Sequence, residues 1–284
     1  MTALGLLPPR DAASGAPRAL VLVSAAASIC GPRADNQDAG YAGPHLLAIA
    51  DGVGGKVGGA VASATAIDAL SGLVGDSADL PDGDLQGAVV GVNERLRMVT
   101  RRRPELTGMA TTLTAVALTP GGRLAVAHIG DARAYLLRDG QLVQLTEDQT
   151  LVQGLVTAGV ISYEQARTHP LRSVVLGALH GDDDDLAHLV VVNHEVRQGD
   201  RLLVCSDGLY GVVSPDTIRR VLAEESRPAD AVTRLLRDAL VAGTRDNATV
   251  VVADVDVLGV EPAALPTTVG ARACEHGSSP TLET

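Results

Sequence analysis

Twice in this chain an uninterrupted apolar run ends in Asp-Gly. Leu46-Leu47-Ala48-Ile49-Ala50 runs into Asp51-Gly52, and Leu202-Leu203-Val204-Cys205 passes through Ser206 into Asp207-Gly208. Each run reads as a buried strand that holds its carboxylate rigidly, with a glycine that lets the backbone turn and present its carbonyl to a ligand. A carboxylate at the end of a buried strand is costly unless something pairs with it. Asp131 repeats the design after Ala125 to Ile129 and Gly130, Asp38 follows the first strand, and Asp246 precedes the last. Singly, each is an ordinary turn residue. Together, five such aspartates with few basic neighbours are hard to neutralise by salt bridges. Converging carboxylates raise each other's pKa unless a cation intervenes. Oxygen-only donors favour hard cations, so Mg²⁺ or Mn²⁺ is expected rather than Zn²⁺.

Composition narrows the possible partners. The 284 residues suit one large domain or two small ones, and 46% of them are apolar, enough for a substantial core. There is no Phe, no Trp and only four Tyr, so Ala, Val and Leu must fill that core and no aromatic platform exists for single-stranded nucleic acid. A net charge of −11 argues against nucleic acid altogether. An acidic chain facing an anionic substrate must recruit cations to meet it. Cys30, Cys205 and Cys274 are far apart and form no zinc or disulfide pattern, which suits a reducing cytoplasm. Ala19 to Cys30, after Arg10 and Arg18, has the look of a lipoprotein leader, but Ile29 stands where a small residue belongs; a first buried strand is expected instead. No run reaches the ~18 apolar residues of a membrane helix.

The patterning predicts strands over Leu20 to Ser28, Leu46 to Ala50, Ala110 to Leu118, Arg123 to Ile129, Arg133 to Leu137, Val190 to His194, Arg201 to Cys205 and Ala248 to Val255. It predicts helices over Val57 to Val74, Leu85 to Arg102, Thr150 to Arg167, Pro215 to Glu225 and Ala229 to Ala242. Residues 1–18 read as a flexible lead-in, 19–258 as the folded domain and 259–284 as a disordered tail. Helices come in pairs rather than alternating with strands, so the expected class is α+β with antiparallel sheets.

Six runs then occur in a fixed order: Arg33-Ala34-Asp35-Asn36-Gln37-Asp38, Asp51-Gly52-Val53-Gly54-Gly55, Gly108-Met109-Ala110-Thr111-Thr112-Leu113, Gly130-Asp131-Ala132-Arg133, Ser206-Asp207-Gly208-Leu209 and Arg245-Asp246-Asn247-Ala248-Thr249. From about Ser24 to Val255 the series resembles the metal-dependent protein phosphatases, the type 2C serine/threonine phosphatases, and their bacterial branch in particular. The resemblance implies a four-layer αββα sandwich. It implies hydrolysis of phosphoserine or phosphothreonine by a hydroxide shared between two Mn²⁺ or Mg²⁺ ions. Asp51 would bridge the two ions, Gly52 would lend its carbonyl, Asp207 and Asp246 would hold one of the pair, and Asp38 would act through bound water. Asp131 with Asp207 would hold a third, weaker ion. Arg33 would grip the substrate phosphate; its planar fork suits two phosphate oxygens. The alternative for Arg33 is a surface pair with Asp35. Substrates would be phosphorylated proteins, targets of serine/threonine kinases, met by a cytoplasmic monomer.

The series is not followed throughout. Gln37 replaces a common Glu, Gln149 a frequent His, and Val53 stands where the animal branch carries a proton-donating His; Val cannot donate. The stretch 151–185 corresponds to the mobile flap of bacterial members. Within it, Asp182 to Asp185 reads as a solvated loop or a further metal or partner site, and His169 as structural. The basic run Arg101 to Arg103 complements a helix C-terminus or docks substrate. A catalytically weak binding or regulatory module on the same fold is the competing reading; it would lack metal ligands. A dinucleotide site is disfavoured, because Gly52 to Gly55 follows Asp rather than opening a GxGxxG turn.

Overall fold

The computed structural model describes residues 19–53, 55–74, 84–119, 122–258 and 265–271. The expected lead-in 1–18 and most of the expected tail lie outside these residues. In chain order the elements are β1 (Leu20–Ile29), β2 (Asp38–Ala42), β3 (Leu46–Val53), α1 (Gly55–Val74), α2 (Asp84–Arg102), β4 (Ala110–Thr111), β5 (Leu113–Thr119), β6 (Arg123–Ile129), β7 (Arg133–Arg138) and β8 (Gln141–Gln144). There follow α3 (Leu151–Thr157), α4 (Tyr163–Thr168), β9 (Val190–Glu195), β10 (Arg201–Cys205), α5 (Asp207–Tyr210), α6 (Pro215–Glu224), α7 (Pro228–Val241), β11 (Ala248–Val257) and β12 (Thr267–Gly270).

Two antiparallel sheets form, ordered β1-β11-β10-β7-β8 and β12-β2-β3-β5-β6-β9, with β4 joined to β3. Three apolar clusters define the spaces between four layers. One lies between α1, α2 and the larger sheet, one between the sheets, and one between the smaller sheet and α6, α7. The apolar runs are uninterrupted because both faces of the central strands are covered. In β3, Leu46, Ala48 and Ala50 face the helices, while Leu47 and Ile49 face the other sheet. In β10, Leu202 and Val204 face inward between the sheets, and Leu203 and Cys205 face α6 and α7. Full burial of each Leu, Ile or Val contributes about 1.5–3 kcal/mol. The αββα expectation is met.

The differences from expectation have local causes. The expected helix over Thr150 to Arg167 divides: Gly159, at φ +71°, ends α3, and Ser162 restarts the chain as α4 through a capping box with Gln165. The expected strand from Ala110 breaks at Thr112, whose amide donates to the Asp51 carbonyl (2.9 Å). The stretch β2 was not expected at all, since Ala, Gly and Ala are weak strand formers; pairing with β3 on one side and β12 on the other imposes it. The expectation of disorder throughout 259–284 fails at Thr267–Gly270, which pairs with β2 as a sheet edge. Thr267, Thr268 and Val269 are β-branched strand formers, but the run is too short to announce a strand by itself; the open edge of β2 supplies the partner.

Candidate metal centre

Five strand ends meet at one end of the sandwich. The β2–β3 register sets Asp38 directly opposite Asp51. In the other sheet Cys205 pairs with Val250 and with Arg133, so Asp207, Asp246 and Asp131 leave their strands at the same end. All five aspartates predicted from sequence are therefore brought together, from both sheets.

The Asp-Gly glycines act differently from expectation. Neither Gly52 nor Gly208 has positive φ, and Asp51-Gly52 lies inside β3 while Asp207-Gly208 opens α5. Both are sites of close backbone approach. A Cβ at Gly52 would meet the Gly59 carbonyl oxygen at 2.1 Å, and one at Gly208 the Asn247 carbonyl oxygen at 1.9 Å. Glycine thus lets α1 and the start of β11 press against the acidic residues.

Burial and mutual repulsion dominate the electrostatics. Asp38 is buried at 1% exposure, and its carboxyl is pushed up to about 6, first by burial. Asp131 is likewise raised to about 6 by burial and then by Asp148. Asp51 and Asp207 are held well above the carboxylate range by burial and then by the other aspartates, Asp38 leading for Asp51 and Asp131 for Asp207. Asp246 adds to the repulsion on Asp38, Asp51 and Asp207.

A donor chain, not anticipated from sequence, orients Asp38. Ser206 Oγ and Thr249 Oγ1 both donate to Asp38 Oδ2, at 2.7 and 2.8 Å. With the Thr249 proton so committed, Ser28 Oγ donates to Thr249 (2.7 Å), and Asn36 Nδ2 to Ser28 (2.8 Å). Asn247 then ties the Arg33–Asp38 loop down, accepting from the Gln37 amide (2.9 Å) and donating to the Cys30 and Asp35 carbonyls. The sequence cue was present: Ser206 and Thr249 are hydroxyls set among apolar strand residues. Because the two donors stabilise the charged form of Asp38, Thr249→Val is expected to raise its pKa. The acid limb of the pH–rate profile then moves to higher pH, and half-saturation needs about tenfold more Mn²⁺, the worth of a hydrogen bond to a charged group at its lower end. A Mn²⁺ titration of the rate indistinguishable from wild type would remove Thr249 from this role.

Arg33 lies across from these residues. Its Nη2 donates to Asp246 Oδ2 (2.8 Å) and its Nε to the Arg245 carbonyl (3.1 Å), with the side chain 56% exposed. The alternative pairing with Asp35 does not form. Behind Asp131, Arg133 makes a two-pronged bond to Asp148 (2.8 and 2.6 Å) and stacks on Tyr210, whose hydroxyl donates to the Asp131 carbonyl (3.0 Å). Gln149 accepts from the Gly130 amide (3.0 Å) and donates to the His188 carbonyl (2.7 Å), linking the Asp131 loop to the chain just past the 151–185 stretch. The Asp182 to Asp185 run resolves into local structure. Asp185 accepts from the amides of His180, Gly181 and Asp182, and Asp183 pairs with Arg97. His169 accepts from the Leu171 amide within a turn and serves the backbone.

The donor set fits hard divalent cations: oxygen only, strongly acidic, and short of protein cations. Among the described residues no three His, Cys, Asp or Glu already form a closed metal cage. Asp246 accepts from Arg33 and from the Asn247 amide, and Asp38 commits Oδ2 to Ser206 and Thr249, so these oxygens point at protein donors. Asp51 and Asp207 are raised furthest, by burial and then by the neighbouring carboxylates, a repulsion that a bound cation would relieve.

An αββα sandwich thus gathers carboxylates from both sheets at one end, the setting of a divalent-cation site. The family model for protein phosphatase 2C matches residues 32–243, and the chain belongs to that family. It is 47% identical over 227 residues to the serine/threonine protein phosphatase PstP of Mycobacterium tuberculosis, covering 78% of this chain and 43% of PstP; the chain thus spans under half the length of that relative. It is 32% identical to the serine/threonine phosphatase stp of Listeria monocytogenes, covering 75% of this chain and 85% of stp. Among solved structures it is similar to the PstP catalytic domain in complex with two manganese ions, at TM-score 0.75 and 45% identity over 83% of this chain and 99% of that one.

Proposed function

We propose that this chain is a metal-dependent protein phosphatase acting on phosphoserine and phosphothreonine. The observation that carries the reading is the placement of Asp38 opposite Asp51, with Asp207 and Asp246 brought to the same end from the other sheet and Arg33 alongside. Asp51 and Asp207, with Asp246 and the Gly52 carbonyl, would hold two divalent cations, Mn²⁺ or Mg²⁺, and Asp38 would take part through water. Asp131 and Asp207 would hold a third. Bound cations would supply the charge neutralisation and water activation that in-line attack on phosphorus requires. The protein's own groups do the rest. Ser206 and Thr249 fix Asp38, Asn247 fixes the loop that carries Arg33, and Arg33 orients the phosphate and stabilises its developing charge. The manganese-bound PstP catalytic domain and the named serine/threonine phosphatases among the relatives support this assignment.

Residues 19–258 form the proposed catalytic unit, with 151–185 as its flap. Phosphorylated proteins are the proposed substrates of a cytoplasmic monomer, and the charge of −11 disfavours nucleic acid as a partner. No helix among the described residues is long and apolar enough to cross a membrane. Turnover of a phosphothreonine peptide by the purified chain is expected to vanish in excess EDTA and to return on titration with Mn²⁺ or Mg²⁺. Full turnover in chelator would overturn the metal reading. Absence of both Mn²⁺ binding and turnover would favour the binding module instead.

A further inference from the structure

Strand β12 lies outside the family match, which ends at residue 243. It nevertheless reaches the metal centre. Thr267 stands opposite Ala42 and Gly270 opposite Ala39, one residue from Asp38. Gly270 adopts φ +89°, and its backbone presses so closely that a Cβ there would meet the Asp38 carbonyl oxygen at 2.1 Å. Val269 packs towards Gly40, Ala271 is buried in the helix–sheet core, and β12 also rests on β1 of the opposite sheet. One short segment therefore closes the edge between the two sheets and flanks the strand that carries Asp38. That strand is weak on its own, five residues long with two Ala and a Gly. Its main chain is held by Asp51's strand on one side and by Gly270 on the other.

We propose that β12 is a positioning element for Asp38, so that docking of residues 265–271 and cation binding at Asp38 and Asp51 strengthen each other. The inference rests on the metal-site reading above. Linkage makes the effect reciprocal: whatever the strap contributes to cation affinity, the cation returns to strap docking. A strand serving only as an edge cover would affect melting temperature and leave cation affinity alone.

The test uses the full chain, wild type against Gly270→Val and Ala271→Asp, with Mn²⁺ calorimetry and amide hydrogen exchange. The variants are expected to exchange faster across 39–42 and to bind Mn²⁺ about tenfold more weakly, within the usual range of coupling between sites. In the wild type, Mn²⁺ should slow exchange across 265–271. Variants that expose β2 yet bind Mn²⁺ as the wild type does would overturn the proposal. Should both variants fail to fold, the wild type decides: exchange across 265–271 that is the same in chelator and in saturating Mn²⁺ refutes the coupling. A wild type that binds no Mn²⁺ would overturn the metal-site reading itself, and this inference with it.

Discussion

Asp51→Asn is expected to lower kcat by at least about a thousandfold, roughly 4 kcal/mol of barrier, while making the metal-stripped protein more heat-stable. Both effects come from one position. Asp51 faces Asp38 across the β2–β3 ladder and feels Asp207, Asp131 and Asp246 as well, so its charge is the one most needed by a cation pair. Without a cation the same charge is a liability, because burial and four neighbouring carboxylates oppose it. Asparagine keeps the shape and removes the charge. The melting temperature in EDTA at neutral pH should rise by at least about 2–4 °C, the shift that 1 kcal/mol produces in a domain approaching this size. Unchanged turnover at saturating Mn²⁺ would refute the role, and a lowered melting temperature in EDTA would refute the repulsion.

The pH dependence follows with a fixed sign. A carboxyl whose pKa is raised by folding binds more protons in the native state, so its contribution is fully present below the unfolded value and lost as pH climbs through the folded one. Asp38 and Asp131 move from 3.8 to about 6, costing about 3 kcal/mol each once both states are ionised. Asp51 and Asp207 extend the loss to higher pH. Metal-stripped protein should therefore lose stability from about pH 4 upward, and saturating Mn²⁺ should flatten that slope. The gain from Asp51→Asn should accordingly be small near pH 4 and grow towards neutrality.

Much of this site was legible because strand burial and carboxylate chemistry are local signals. Leu46 to Ala50 and Leu202 to Cys205 announce strands covered on both faces, and the aspartates after them stand out against so apolar a setting. What could not be read depends on partners distant in sequence. Thr249 donates to Asp38 across 211 positions, and Ser206 across 168. Only the sheet register places them there. Strand β2 has no pattern of its own, and its cover β12 offers only three β-branched residues, too few to be read as a strand; pairing completes both. The need for a glycine rather than a larger residue at Gly52 and Gly208 is hidden for the same reason. The residue type signals freedom, and only the packing shows that Gly59 and Asn247 require the missing side chain.

Arg33→Ala is expected to reduce kcat/KM for a small aryl phosphate about ten- to a hundredfold, or ~1.4–2.7 kcal/mol. The figure sits below that for a fully desolvated oxyanion donor, because the Arg33 side chain is more than half exposed. It sits above the ~0–1 kcal/mol of an ordinary surface pair, because the partner is Asp246, part of the acidic centre, rather than Asp35. The bond to Asp246 Oδ2 uses one terminal nitrogen, and the Nε bond to the Arg245 carbonyl fixes the plane of the group. A planar group so held can turn a second edge towards a phosphate, which an ammonium cannot imitate. Arg33→Lys should therefore recover only part of the loss. A small substrate has no protein surface to contact, so the deficit reports on the phosphate alone. Loss confined to KM would mean that Arg33 binds the ground state and the transition state equally, whereas loss in kcat as well would place it on the developing charge. A kcat/KM within about twofold of wild type, well under 1 kcal/mol, would show that Arg33 serves only to orient Asp246.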